Sequence, residues 1–250
     1  MATSPDDMLN NESTAPVIPR TVLTIGAHPD DAEFGAGASL ARWAAAGAEI
    51  TILVVTDGSK GSWNPDEDIE ALVQRRRTEQ SSAADVLGVQ HCTHLGHVDG
   101  ELEYSMELRT EIALAIRSVA PDIVLSHDPW KRYELHPDHR ATGLAAVDGV
   151  VSAREPLALT HSDLAPHRPD ALLLWSPDDP DHAEPMSDAE ADKKLEALLC
   201  HSSQGSTTMG SPGNGPAELA AFESYLQEFH RSNGERFGVG PAEIFKKLKP

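Results

Sequence analysis

The sequence predicts an α/β protein, a mostly parallel sheet with covering helices. Two observations carry the prediction. Strand-type and helix-type segments alternate from Thr21 to about Trp175. The strand-type segments are short, apolar and rich in β-branched residues, and turn residues close them.

The first strand is Val22-Leu23-Thr24-Ile25, and Gly26 begins the turn out of it. Helical material follows at Ser39 to Ala46 and stops at Gly47. Glu49 to Thr56 is the second strand, ended by Asp57-Gly58, with a polar loop at 59–68 beyond it. Ile69 to Leu87 has helical spacing and stops at Gly88, and His91 to Leu95 is a short strand. Met106 to Val119 is amphipathic, with Leu108, Ile112, Ala115, Ile116 and Val119 on one face. Pro121 restarts the pattern with a strand at Asp122 to Ser126, a long loop at 127–136 and a helix from Pro137 to Ser152. Ala171 to Trp175 is the last strand of the alternation. An acidic, proline-rich linker covers 176–185, and Ser187 with Glu190 makes a capping box for a helix to about Cys200. Residues 1–18 are expected to be a flexible tail and 19–250 a single domain. Within it, 19–175 is the core and 176–250 a smaller C-terminal part, whose Gly/Ser-rich stretch at 202–216 is mobile or a lid.

The chain has 250 residues and a net charge of −20. That surface repels phosphate backbones and anionic lipid, which argues against nucleic-acid or membrane partners. Two cysteines offer no disulfide framework, and the first twenty residues lack the apolar block of a signal peptide. The expected location is the cytoplasm.

Ala27-His28-Pro29-Asp30-Asp31 lies just past the first strand, where open α/β sheets bind ligands. His136-Pro137-Asp138-His139-Arg140 occupies the equivalent place after a later strand and its loop. A catalytic zinc site takes three ligands from His, Asp and Glu and leaves a fourth position to water. His28, Asp31 and His139 supply two imidazoles and a carboxylate, while Asp30 is placed to accept a proton. Protonated His136 is expected to stabilise an oxyanion and protonate the leaving amine, with Asp138 orienting a neighbouring imidazole. A single His-Pro-Asp is an ordinary turn signal, but two copies after two strands favour one converging site. Zinc is the expected ion, and mixed nitrogen and oxygen ligands also suit iron(II) or manganese(II). His91, His94 and His97 are spaced for alternate faces of a strand rather than for a ligand set.

The pair AHPDDAEFGAG (27–37) and HPDHR (136–140) resembles the LmbE-like, or PIG-L-like, zinc-dependent N-deacetylases. Arg76 with Glu79, Asp99-Gly100-Glu101-Leu102, Pro121 to Val124 and His201-Ser202-Ser203-Gln204 extend the likeness over about Thr21 to Gln204. The resemblance implies a Rossmann-like sheet and hydrolysis of an acetyl or short acyl amide on an N-acetylglucosamine-type amino sugar. It puts the metal on His28, Asp31 and His139, the base on Asp30 and the transition-state histidine on His136, supported by Asp138. It also puts substrate hydroxyls on Arg76 and Asp99. In the first motif Ala32 precedes the acid Glu33, and Glu134 stands where some glycosyl-inositol deacetylases carry a tyrosine. Three readings therefore follow. The first is the amino-sugar deacetylase, acting on a small molecule, with association into a homo-oligomer left open. The second is a thiol-conjugate amidase of the same family. The third is a non-enzymatic dinucleotide-binding module, disfavoured because Leu40 takes the third glycine's place in the fingerprint.

Overall fold

The computed structural model describes residues 18–205, 207, 209 and 215–250. The expected tail therefore lies almost wholly outside the described residues, as does much of the 202–216 stretch. The core alternates as β1 Thr21–Gly26, α1 Asp31–Ala45, β2 Glu49–Thr56, α2 Ile69–Leu87, β3 His91–His97, α3 Met106–Val119, β4 Ile123–His127, α4 Pro137–Arg154 and β5 Ala171–Trp175. The C-terminal part adds β6 His182–Pro185, α5 Asp188–Cys200, α6 Pro216–Glu235 and β7 Ala242–Leu248. One sheet holds all seven strands in the order β3-β2-β1-β4-β5-β7-β6. The first five run parallel, and β7 pairs antiparallel with both β5 and β6.

Successive strand side chains divide between two cores, as the two-residue period of a strand requires. Val22, Ile50, Ile52, Ile123 and Leu173 pack under α1, α2 and α5. Leu23, Ile25, Leu53, Val124 and Leu172 pack under α3 and α4. Such two-sided burial explains why these strands read as unbroken apolar runs. The strand order reverses between β1 and β4, which are neighbours with Ile25 opposite Ser126. Both His-Pro-Asp segments therefore leave the sheet at one topological switch point.

Several elements differ from expectation. Helix α1 begins at Asp31, eight residues before Ser39, and is broken by the non-helical Ala36 (φ −150°, ψ 16°). The break strands backbone groups, and a buried ion pair takes them up. Glu243 of β7 accepts from Ala38 N (3.1 Å), Ser39 N (2.8 Å) and Ser39 Oγ (2.6 Å). Lys194 of α5 donates to Phe34 O (2.8 Å) and to Glu243 (2.7 Å). Burial would raise the Glu243 pKa, but the Lys194 ammonium outweighs it and holds the carboxyl below its usual range. The expected linker at 176–185 contains β6. Helix α6 and strand β7 occupy sequence in which no element was anticipated.

His230 of α6 is buried, and its pKa is pushed down to about 4, by burial first and by the Lys194 charge second, with Glu243 opposing. A depressed pKa favours the folded state fully above the ordinary value of 6.5 and less as pH falls toward about 4. The loss amounts to at most about 3 kcal/mol. Melting curves at pH 7.5 and 5 should show a smaller acid-side drop for His230→Gln than for the wild type.

Candidate active site

The site grows from the turn between β1 and α1. Asp30 sits at φ 104°, a conformation that L-residues adopt only when their surroundings impose it. Two buried side chains of α2 impose it. The Gln80 amide oxygen accepts from Asp30 N (3.0 Å), and Arg76 donates to Pro29 O (2.7 Å) and Gly58 O (3.0 Å). Arg76 Nη2 also lies 3.5 Å from Asp30 Oδ2. Gln80 in turn donates to Glu33 (2.6 Å), whose other oxygen faces His201 at 3.6 Å. Burial raises the Asp30 pKa to about 6, against the opposing pull of Arg76. The result is a carboxylate that is ionised at neutral pH and more basic than usual.

Asp31 faces two imidazoles, His28 Nδ1 at 3.6 Å and His139 Nε2 at 3.5 Å. Donor atoms about 2.1 Å from a tetrahedral ion stand about 3.4 Å apart, and each of these contacts, made on a different oxygen of Asp31, is near that spacing. The protonation states mostly fit as well. Burial would raise the Asp31 pKa, but the charges of His127 and His139 carry it well below the usual range. Burial drives His139 down to about 4, leaving a neutral ring, the form in which an imidazole can bind a metal. His28 behaves differently. Burial would lower its pKa, but hydrogen bonds to Asp138, Asp31 and Asp99 outweigh that and raise it well above the ordinary value. The carboxylates around it call for positive charge.

His28 Nε2 lies 3.2 Å from both Asp99 and Asp138. This is the carboxylate backing that fixes the ring of a metal-binding histidine. Asp138 also accepts from Gly100 N (2.6 Å), so its hydrogen bonds go to His28 and the 99–102 turn and not to His136. Behind Asp31 stands His127, with Nε2 3.1 Å from Asp31 Oδ2. Trp175 donates to His127 Nδ1 (3.1 Å) and the Ala27 N–H donates to His127 Nε2 (3.2 Å), so the ring is held from both sides against Asp31. Gly35 makes this possible: a Cβ there would meet the Trp175 indole at 2.5 Å.

Among the described residues, three overlapping groups bring their donor atoms within 4.8 Å of one another: His28-His136-His139, Asp31-His127-His139 and His28-Asp99-Asp138. The expected triad of His28, Asp31 and His139 is not itself one of these groups; its members are shared out among them, with His28 and His139 together in the first and Asp31 and His139 together in the second. A cavity of about 750 Å³ opens over them, lined by His28, Asp30, Asp31, Arg76, Asp99, His136 and His139.

A family model described as GlcNAc-PI de-N-acetylase (PIG-L) matches residues 23–150. The chain belongs to the PIG-L family. A diacetylchitobiose deacetylase of Thermococcus kodakarensis is 36% identical over 189 residues, covering 74% of this chain and 70% of that protein. A 1D-myo-inositol 2-acetamido-2-deoxy-α-D-glucopyranoside deacetylase of Kineococcus radiotolerans is 30% identical, over 84% of this chain and 69% of that protein. The solved N,N'-diacetylchitobiose deacetylase of Pyrococcus horikoshii superposes with a TM-score of 0.82 at 29% identity, over 92% of this chain and 84% of that one. The PIG-L chain is thus a hydrolase of the deacetylase type, and neither the amidase nor the dinucleotide module is favoured.

Seven of the eight residues singled out in this PIG-L sequence line the cavity, and the eighth, Asp138, stands behind His28. Their partners refine the expectations. His136 is pushed below its ordinary pKa, first by burial and then by His28, so in the resting site it is neutral and not protonated. Arg76 is buried and spends two donors on backbone carbonyls. The late His-Ser-Ser-Gln element is a clamp: Ser202 and Ser203 donate to Glu79, and Gln204 donates to Gly61 O. Glu134 reaches the cavity, 3.7 Å from His139 Nδ1, while Tyr133 points to solvent. Sequence reasoning missed Gln80. The signal for Gln80 was its spacing: one turn beyond Arg76, it shares that residue's helical face. His91, His94 and His97 lie on the edge strand β3 and enter none of the three groups.

Proposed function

We propose that this protein removes the acetyl group from an N-acetylglucosamine-type amino sugar, with a divalent ion, zinc first, held by His28, Asp31 and His139. One observation carries the reading: a strained, buried carboxylate of raised basicity stands beside a carboxylate that faces two imidazoles at ligand spacing. The relatives named for GlcNAc-type substrates support the same chemistry. When bound, the ion acts as a Lewis acid toward water and the amide carbonyl.

The chain's own groups do the rest. Asp30 takes the proton of the attacking water, and the position of its carboxylate is held by Gln80 and Arg76. Neutral His136 donates a ring N–H to the amide oxygen as charge gathers there, so no protonated imidazole is needed. The proton taken by Asp30 leaves with the amine. Asp99, whose Oδ2 accepts from Lys60 N (3.0 Å), lines the cavity where a sugar hydroxyl would lie.

Amine release from a panel of N-acetylated sugars, glycosyl-inositols and thiol conjugates, with and without chelator, tests the proposal. The expected outcome is release from the amino sugars that chelation abolishes and added zinc, iron(II) or manganese(II) restores. Release that persists under exhaustive chelation removes the metal from the reaction. Gln80→Leu, which leaves Asp30 N–H without its acceptor, should lower kcat by about 10- to 100-fold with KM nearly unchanged. Metal content and steady-state kinetics of that variant check it together.

The location and assembly state belong to the same set of proposals. No helix among the described residues is long and apolar enough to cross a membrane, and the acidic chain is proposed to work in the cytoplasm on a small-molecule substrate.

A further inference from the structure

Trp63 is 78% exposed, yet it lines the cavity that holds the His/Asp cluster. It rides on the 59–68 loop, which is fastened at its base. Arg76 holds Gly58 O, the Asp99 carboxylate accepts from Lys60 N, and Gln204 holds Gly61 O, each at 3.0 Å. A Cβ on Gly61 would strike the Arg76 guanidinium and the Gln204 amide, so the loop lies tight against that floor. The backbone leading into Trp63 is therefore held against the cavity floor, and the indole is exposed along the cavity wall. Its apolar face is one that a pyranose ring with equatorial substituents can cover with axial C–H groups.

The charges lining the cavity narrow the ligand. Lys60 is paired with Glu101 (2.8 Å), Lys131 with Glu134 (3.2 Å), and Arg76 is buried on carbonyls and carboxylates. Among the described lining residues no lysine or arginine is left over for an acidic aglycone, whereas an aromatic face is on offer to a neutral ring.

Resting on the deacetylase reading, we propose that Trp63 is the platform for a second sugar ring. The substrate is then a glycoside in which the reacting N-acetylglucosamine unit is joined to a neutral pyranose that stacks on this indole. Trp63 is a specificity residue that touches the aglycone and takes no part in proton transfer.

The test compares wild type, Trp63→Phe and Trp63→Ala on N-acetylglucosamine, N,N'-diacetylchitobiose and an N-acetylglucosaminyl malate. The wild type should prefer the disaccharide in kcat/KM. Trp63→Ala should lower that value about tenfold, mainly through KM, and leave the monosaccharide unchanged. Trp63→Phe should retain part of the preference. An equal fall on monosaccharide and disaccharide, an undiminished disaccharide preference in Trp63→Ala, or a wild-type preference for the malate conjugate overturns the platform.

Calorimetric titration with N,N'-diacetylchitobiose separates this proposal from the reading beneath it. Binding that Trp63→Ala weakens, in a protein that releases no acetate from any of the three, sustains the platform and removes the deacetylase reading. Binding that the substitution does not weaken overturns the platform even if deacetylation stands.

Discussion

Asp30→Asn is expected to lower kcat for amide hydrolysis by about 10²- to 10⁴-fold, the range that a general base supplies. Metal content should stay at the wild-type level. The substitution is close to isosteric and keeps the Asp30 N–H that Gln80 accepts. Asparagine also tolerates a positive φ better than most residues, so the strained turn is not asked to do more. What disappears is the basic oxygen that burial has raised to a pKa of about 6. Arg76 keeps its bonds to Pro29 O and Gly58 O and loses only the carboxylate at 3.5 Å, so the wall of the site should hold. Elemental analysis alongside initial rates decides the matter. A near-normal rate with metal in place would show that Asp30 is not the base.

The second large effect concerns stability. Glu243→Ala leaves the buried Lys194 without its counter-charge and removes the acceptor for Ala38 N, Ser39 N and Ser39 Oγ. Breaking a buried pair from one side costs about 3–5 kcal/mol, because the surviving charge stays in a poorly solvating interior. The double variant Lys194→Met/Glu243→Gln removes both charges and keeps an amide oxygen for the α1 donors, so it should recover much of the loss. Denaturant titration of both variants against wild type measures this. A Glu243→Ala loss below about 1 kcal/mol, ordinary for a surface change, would mean that the kink is held by something else.

Local signals made the first five strands legible. Val22 to Ile25 and Glu49 to Thr56 are apolar runs closed by glycine-bearing turns, and Asp68, Ser105 and Gly88 cap helices where local chemistry says they should. The two His-Pro-Asp segments were legible as one site because each follows a strand of the alternation. That those strands are neighbours at the point where the order reverses is a fact of topology, and it makes the segments converge. Strands β6 and β7 were hidden because Glu184 and Glu243 are carboxylates at buried positions, satisfied by Arg42 and Lys194 far away in the chain. The early start of α1 was hidden for the same reason. The break at Ala36 is tolerable only with partners from β7 and α5. In the site, charged residues announced themselves by type, whereas Gln80 and Trp175 act through hydrogen bonds that no motif records.

The clamp on α1 carries a consequence for synthesis. Glu243 is 204 residues downstream of Ser39, the residue whose amide it caps. While the ribosome is still making the segments between, the helix break lacks its acceptor, and Phe34 O waits for Lys194. A nascent chain can form β1, β2 and β4 and bring both histidine-bearing turns close without yet fixing the groups beside them. The pocket therefore matures late, when β7 threads in beside β5.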